Sequence, residues 1–298
     1  MENSDVSIHK AILKTVLYAD IFDYPLTFDE LHRYLVDINL SREQLAEQLR
    51  QDQFLTQSGG YFTLPRREEL IQKRAAREGQ AVLLWREANR FGLILSKMPF
   101  VRMVAVTGSL AMNNVERSAD IDYLVVTTPG RLWLCRLGIL VLVRLAALRG
   151  VSLCPNYMLS EHALEIPAHS LYSAHEFTQM VPLSGLEIYQ RMRQLNPWVM
   201  DYLPNAHGLP SLASKITAST TRPVIRRLLE LILRTAAFDW MEGWEMKRKI
   251  SKLSAQNKDN PESQFTAELC KGHSSRHGQR TTVSLNERLA FLEQELIP

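Results

Sequence analysis

Residues 101 to 126 constrain this chain more than any other stretch. Val101–Val106 is a short run rich in β-branched residues and reads as a buried strand. Gly108 follows, and a residue without a Cβ lets the backbone approach an anion closely. Ser109-Leu110-Ala111-Met112-Asn113-Asn114 then enters a short helix, whose first N–H groups have no partner within the helix and suit phosphate oxygens. Ser109 adds a hydroxyl donor. A polar loop, Val115–Ala119, leads to Asp120-Ile121-Asp122-Tyr123-Leu124-Val125-Val126, a second strand. Two residues apart on a strand, the Asp120 and Asp122 side chains leave one face. Paired carboxylates repel each other and attract hard cations, and magnesium takes one or two carboxylates together with substrate phosphates. A cradle for a triphosphate therefore stands ten residues (Leu110–Ala119) ahead of a divalent-metal pair. That is the layout of two-metal phosphoryl transfer.

An apolar strand, Gly-Ser, a spacer of about ten and then Asp–apolar–Asp–apolar on the next strand resembles the DNA polymerase β-type nucleotidyltransferase superfamily. The matching residues are Val104-Ala105-Val106-Thr107, Gly108-Ser109 and Asp120-Ile121-Asp122-Tyr123, about a tenth of the chain. The chain looks like the minimal bacterial nucleotidyltransferase branch, with an added winged-helix front. The resemblance implies an α+β fold with a small mixed sheet and helices. It also implies that Gly108 and Ser109 hold the β,γ-phosphates of an NTP such as ATP, and that Asp120 and Asp122 hold Mg2+ or Mn2+ as catalytic metal ligands. Members of the superfamily usually carry a third carboxylate on a later strand. Here that strand, Val151–Leu159, contains no acid. Asn156 is the strong oxygen ligand in its body, Glu161 lies just past its end and is the first candidate third metal ligand, and Glu165 is farther on. Asn coordinates through its carbonyl and cannot act as a base. Arg131 and Arg136, after the second strand, are further candidates for a phosphate contact; as a structural feature each reads as a snorkelling arginine at a helix start.

The rest of the chain divides around this core. Residues 1–66 read as three helices and a two-stranded wing, a winged-helix-like domain. Ile8–Phe22 has helical spacing, Thr27-Phe28-Asp29-Glu30 and Ser41-Arg42-Glu43-Gln44 are capping boxes opening two more helices, and Phe54–Thr56 and Tyr61–Leu64 flank a turn. Residues 67–98 form a connecting helix, charged along its length. Residues 99–168 are the nucleotidyltransferase core, including a helix over Leu132–Leu148. Residues 169–298 are mainly helical, with periodicity over Leu183–Leu195 and Pro223–Ile250, a basic face on the latter, a polar loop over Asn257–Ser275 and a closing helix over Leu285–Leu296. Helical tails beside such a core often shape the acceptor pocket in the superfamily. Cys270, His273 and His277 have a spacing that zinc tolerates, but their glycine- and serine-rich setting argues for a loop. Arg276, His277 and Arg280 are alternatives for folding over a nucleotide.

Charge refines this division. Of a net charge of +3, residues 1–65 hold five Lys/Arg against ten Asp/Glu, leaving +8 on the remainder. A basic body suits a polyanionic ligand. In the third helix of the front domain, Arg42 and Arg50 are matched by Glu43 and Glu47 and followed by Asp52, so little is left to neutralise DNA phosphates. The front domain is expected to pack or to bind protein rather than DNA. Three cysteines without paired spacing, a polar acidic start and no apolar run near 20 residues point to a cytoplasmic, non-membrane protein. Two functions remain. One is a metal-dependent enzyme moving a nucleoside monophosphate from an NTP to a hydroxyl or amine acceptor, which is a small molecule, a protein or an RNA end. The other is a non-catalytic nucleotide-binding relative acting as an interaction module through its winged helix.

Overall fold

Two sheets organise the protein, which is α+β; a computed structural model describes residues 2–116, 119–215, 224–272 and 276–296. The N-terminal unit comprises α1 (Glu2–Asp20), β1 (Leu26–Thr27), α2 (Phe28–Arg33), α3 (Arg42–Gln51), β2 (Thr56–Ser58) and β3 (Tyr61–Thr63). Both capping boxes form as their sequences dictate. Glu30 N–H donates to the Thr27 hydroxyl at 3.3 Å while Thr27 N–H donates to the Glu30 carboxylate at 2.9 Å. Ser41 and Gln44 exchange the same pair of bonds at 2.8 and 3.2 Å. Each box satisfies two donors that a helix start leaves open. The helices bury Ile12, Val16, Leu31, Leu35 and Leu45 against Phe62. The sheet has three strands, in the antiparallel order β1-β3-β2. β1 is two residues long, too short to show an alternation in sequence.

α4 (Glu69–Lys97) joins this unit to the rest. The sequence shows a charged connector, and the structure makes it a clamp. Arg74 and Arg77 are buried on it. Arg74 makes a two-pronged ion pair with Glu30 at 2.7 and 2.9 Å, between the rings of Tyr24 and Tyr61. Arg77 donates to the Phe22 carbonyl at 3.2 Å and to Asn114 Oδ1 at 2.9 Å, one partner in each unit. Asn114 Nδ2 in turn donates to the Phe22 carbonyl at 2.9 Å.

The larger sheet contains β4 (Val101–Val106), β5 (Ile121–Thr127), β6 (Leu153–Ser160), β7 (Val181–Ser184), β8 (Gln264–Phe265) and β9 (Leu269–Lys271), in the order β7-β4-β5-β6-β9-β8. Between the strands lie α5 (Gly108–Ala111), α6 (Leu132–Ala147), α7 (Leu171–Gln179), α8 (Leu186–Leu195), α9 (Val199–Tyr202), α10 (Val224–Ile232) and α11 (Ala236–Gln256), and α12 (His277–Leu296) closes the chain. β5 and β6 are parallel, joined through α6; the other pairs are antiparallel. Period-two alternation sorts the side chains onto two faces. Ile121, Tyr123 and Val125 share a core with residues of α4 and α6. Leu124 and Val126 share another with residues of α7, α8 and α9. Asp122 therefore points to the α7 side.

The sheet does not stop at residue 168. β7 and the β8–β9 hairpin supply both of its flanks from the region read as mainly helical. Residues 183–184 are strand rather than helix, and Pro182 is tolerated because β7 is an edge strand. Residues 257–272 of the stretch read as a polar loop hold that hairpin, and residues 273–275 lie outside the described residues. The helix expected over Pro223–Ile250 is two helices, α10 and α11. Part of its basic face is consumed internally: Arg226 is buried against Glu230 and the Ser96 and Val101 carbonyls, and Arg248 pairs with Glu245. Arg222 lies outside the described residues. Among the described residues no helix is long and apolar enough to cross a membrane.

Glu230 anchors α10 to the sheet through Arg102 at 3.0 Å and the Phe100 N–H at 2.9 Å. Burial alone would raise its carboxyl, but Arg102, Phe100 and Arg226 hold it down to about 2, against an ordinary 4.5. A depressed carboxyl contributes stability that is complete above the ordinary value and lost as pH falls towards the depressed one. Glu230→Gln should lower stability at neutral pH and flatten the acid-unfolding curve between about pH 4.5 and 2, followed by circular dichroism. An unchanged slope there would show that the group is not linked to folding.

Candidate functional site

The end of β4 and the start of β5 meet where the sheet opens towards the N-terminal unit. Thr107 N–H donates to the Asp122 carbonyl at 3.0 Å, which fixes the turn against the strand. Gly108 sits there at φ +64°, and a Cβ on it would lie 2.6 Å from Asp122 Oδ2. Glycine is therefore required twice, for its backbone and for the space the carboxylate fills. Ser109 is exposed beside it, and no side chain caps the turn. α5 is a single turn, so what it offers an anion is local amides and a hydroxyl rather than a helix dipole.

Asp120 is exposed and Asp122 half-buried. Burial pushes the Asp122 carboxyl up to about 6; a hydrogen bond from Cys154 opposes this and the Asp120 charge adds to it. β6 contributes the next contact. The β5–β6 register pairs Asp122 with Cys154 but Leu124 with Tyr157, so β6 carries one extra residue there. This bulge brings Asn156 to the carboxylate, and its Nδ2 donates to Asp122 Oδ1 at 2.8 Å. Burial and the Asp122 charge push the Cys154 thiol up to about 12.

These residues form one wall of a cavity of about 520 Å3. α7 forms a second wall with Tyr172, His175, Glu176 and Gln179, and the N-terminal unit forms a third with Tyr18, Phe22, Tyr24 and Tyr34. Burial, with the Asp122 charge adding and Lys271 opposing, pushes the Glu176 carboxyl up to about 7. His175 is buried and stacked on Tyr18 at 4.0 Å, and burial pulls its imidazole down to about 3. None of these wall residues belongs to a short-range motif. The nearest signal is the four-residue spacing of Tyr172 with Glu176 and of His175 with Gln179, which places each pair on one helical face.

Gly108, Ser109, Asp120, Asp122 and Asn156 thus come together. Glu161 does not. Its N–H bonds the Thr127 carbonyl at 3.0 Å, five residues along β5 from Asp122, or about 16 Å at strand rise. Its carboxylate pairs with Arg102 at 3.4 Å. Arg131 is at that same far end, ion-paired with Asp239 and 5.4 Å over the Phe100 ring. Arg136 lies over Trp133 and beside Cys270. Cys270 is buried in β9, His277 lines the cavity, and His273 lies outside the described residues. Arg276 donates to the Asp259 carbonyl. Among the described residues no group of three or more His, Cys, Asp or Glu is arranged to hold a metal ion. Two carboxylates on one strand face nonetheless fit an ion that takes its remaining ligands from phosphates and water. Compared with protein-family models, curated proteins and solved structures, the chain matches none of them.

Two glycines separate the site's constraint from general helix propensity. Gly108→Ala should cost on the order of 1–3 kcal/mol in chemical denaturation, from strain at positive φ, with further loss if Asp122 is displaced. Gly79→Ala, inside α4 with nothing within 4 Å of the new methyl, should instead stabilise by about 0.5–1 kcal/mol. Effects of equal sign would undo the assignment of Gly108.

Proposed function

We propose that the chain is a metal-dependent nucleotidyltransferase with a polymerase β-type core, a winged-helix-like front and a helical C-terminal region. The observation that carries this reading is the packing of Gly108 against the Asp122 carboxylate, with Ser109 and Asp120 exposed alongside. Gly108, Ser109, Asp120 and Asp122 line one cavity, which supports the reading of a phosphate cradle beside a metal-binding pair. In the reaction an acceptor hydroxyl or amine attacks the α-phosphorus of an NTP. A new P–O or P–N bond forms as the bond to pyrophosphate breaks.

The chain's own groups divide this work. The Gly108–Ser109 turn binds the β,γ-phosphates through amides and the Ser109 hydroxyl. Asn156 holds Asp122 in one orientation through the 2.8 Å bond. Asp120 and Asp122 would hold Mg2+ or Mn2+, which when bound neutralises phosphate charge and favours the deprotonated acceptor. The aromatic residues of the N-terminal unit restrict water on the opposite side. Catalysis in such a site is mainly positioning and charge stabilisation.

The alternative, a nucleotide-binding protein without turnover, draws support from the want of a third acid grouped with Asp120 and Asp122 among the described residues. One experiment separates the two. The enzyme should release pyrophosphate from labelled NTPs only with magnesium or manganese, and Asp120→Ala with Asp122→Ala should reduce release at least about a hundred-fold. Nucleotide binding that ignores magnesium, with no acceptor ever labelled, would favour the binding protein.

A further inference from the structure

α10 is built inside out. Globular helices ordinarily bury an apolar stripe and turn their charges to water. Here Arg226 and Glu230, four residues apart and so on one face, turn inward. Arg226 reaches the Ser96 and Val101 carbonyls, and Glu230 pairs with Arg102. The opposite face is apolar and meets water, with Leu228 56%, Leu231 70% and Ile232 60% exposed.

α11 repeats the pattern after three residues. Its Glu242 and Glu245 are buried, Glu242 accepting from the Trp133 and Leu134 N–H groups and Glu245 pairing with Arg248. Trp240 is 71% exposed and stacked on Trp244. Both helices are fixed beside Phe100: Arg234 lies 5.9 Å over its ring, and Asp239 pairs with Arg131 over the same ring. Leu231, Ile232 and Trp240 therefore leave the protein around one joint, and none of them lines the cavity. An exposed apolar surface of this kind marks a contact site.

Charge indicates what it meets. Every acid of α10 and α11 is engaged within the protein: Glu230 by Arg102, Asp239 by Arg131, Glu242 by two amides and Glu245 by Arg248. The cations are not. Arg227, Arg234, Lys247 and Lys252 are exposed and form no ion pair among the described residues. Lys247 is seven residues, two turns, from Trp240 and shares its face. α6, against which α11 packs, contains no acid and exposes Arg144.

We infer that the α10–α11 joint adsorbs onto an anionic lipid surface, its apolar side chains at the headgroup boundary and its cations beside lipid phosphates. Exposed Leu and Trp bordered by Lys and Arg make an interfacial surface, and tryptophan rests at headgroup level. A second copy of the chain fits less well. A two-fold contact sets the unpaired cations of one copy beside those of the other, with no free acid to meet them. Among the described residues no helix is long and apolar enough to cross a bilayer, so the contact is adsorption.

The full chain is tested by flotation with phosphatidylcholine vesicles, with and without about 30% phosphatidylglycerol. Binding to the anionic vesicles should be about ten-fold or more tighter than to the neutral ones and should weaken as salt rises from about 0.1 to 0.5 M. Tryptophan emission should shift to the blue on binding. Ile232→Gln with Trp240→Gln should weaken binding about ten-fold or more at an unchanged melting temperature, because both side chains are exposed. Arg227→Gln with Lys247→Gln should weaken binding to the anionic vesicles alone, and serves by itself if the first pair does not fold. No vesicle binding, equal binding to neutral and anionic vesicles, or binding untouched by these substitutions would overturn the inference. A dimer in sedimentation equilibrium that Ile232→Gln with Trp240→Gln converts to monomer, without vesicle binding, would also overturn it and give the face to a second copy.

Discussion

Two guanidinium groups taken out of water hold this architecture together. A buried arginine is tolerated only where its donors are matched, because the cost of desolvating the charge otherwise exceeds what packing returns. Arg74 finds Glu30 and the Pro25 carbonyl. Arg77 finds the Phe22 carbonyl and Asn114. Arg74's partners lie in the N-terminal unit and Arg77's in both units, so satisfying the two groups requires the N-terminal unit to seat on α4 and the core. The cavity exists because of that seating: Phe22, Tyr24 and Tyr34 face Asp122 and α7 only when the unit is docked. A unit readable as an appendage is thereby a wall.

The legible parts of the fold and site were the local ones. Gly108-Ser109, Asp120 and Asp122 stand close in sequence, and strand alternation places both carboxylates on one side without knowledge of the rest. The capping boxes are equally local, three residues from cap to partner. Glu161 shows where this reasoning fails. It adjoins the right strand in sequence, but a strand advances about 3.3 Å per residue and delivered it to the wrong end. The carboxylate that does share the cavity, Glu176, comes from α7, far along the chain, and no spacing rule connects it with Asp122. The bulge in β6, which brings Asn156 into contact, is equally silent in sequence.

Net charge also reads differently once partners are visible. The basic excess outside the front unit suggested a polyanion-binding surface. Arg102, Arg131, Arg226 and Arg248 instead meet Glu161 and Glu230, Asp239, Glu230 and Glu245 within the protein. In the N-terminal unit, Arg42 and Arg50 are likewise taken up by Asp29 and Glu47. The cavity itself is lined by acids. Each such pair cancels in the count, so the excess lies on other residues, and among the described residues no Lys or Arg lines the cavity; global charge said little about the sign of the site.

The flanks of the larger sheet set the order in which this chain acquires its structure. Met158 pairs with Cys270, and Val104 with Ser184, so both flanks wait for segments made much later. Closing such long loops costs entropy before any contact rewards it, and sheets rich in distant pairings fold slowly. Until β9 arrives, the backbone edge of β6 is open to pairing with any other extended chain. During synthesis β4, β5 and β6 are thus made before the strand that covers the β6 border, the interval in which that edge is least protected from pairing with another chain.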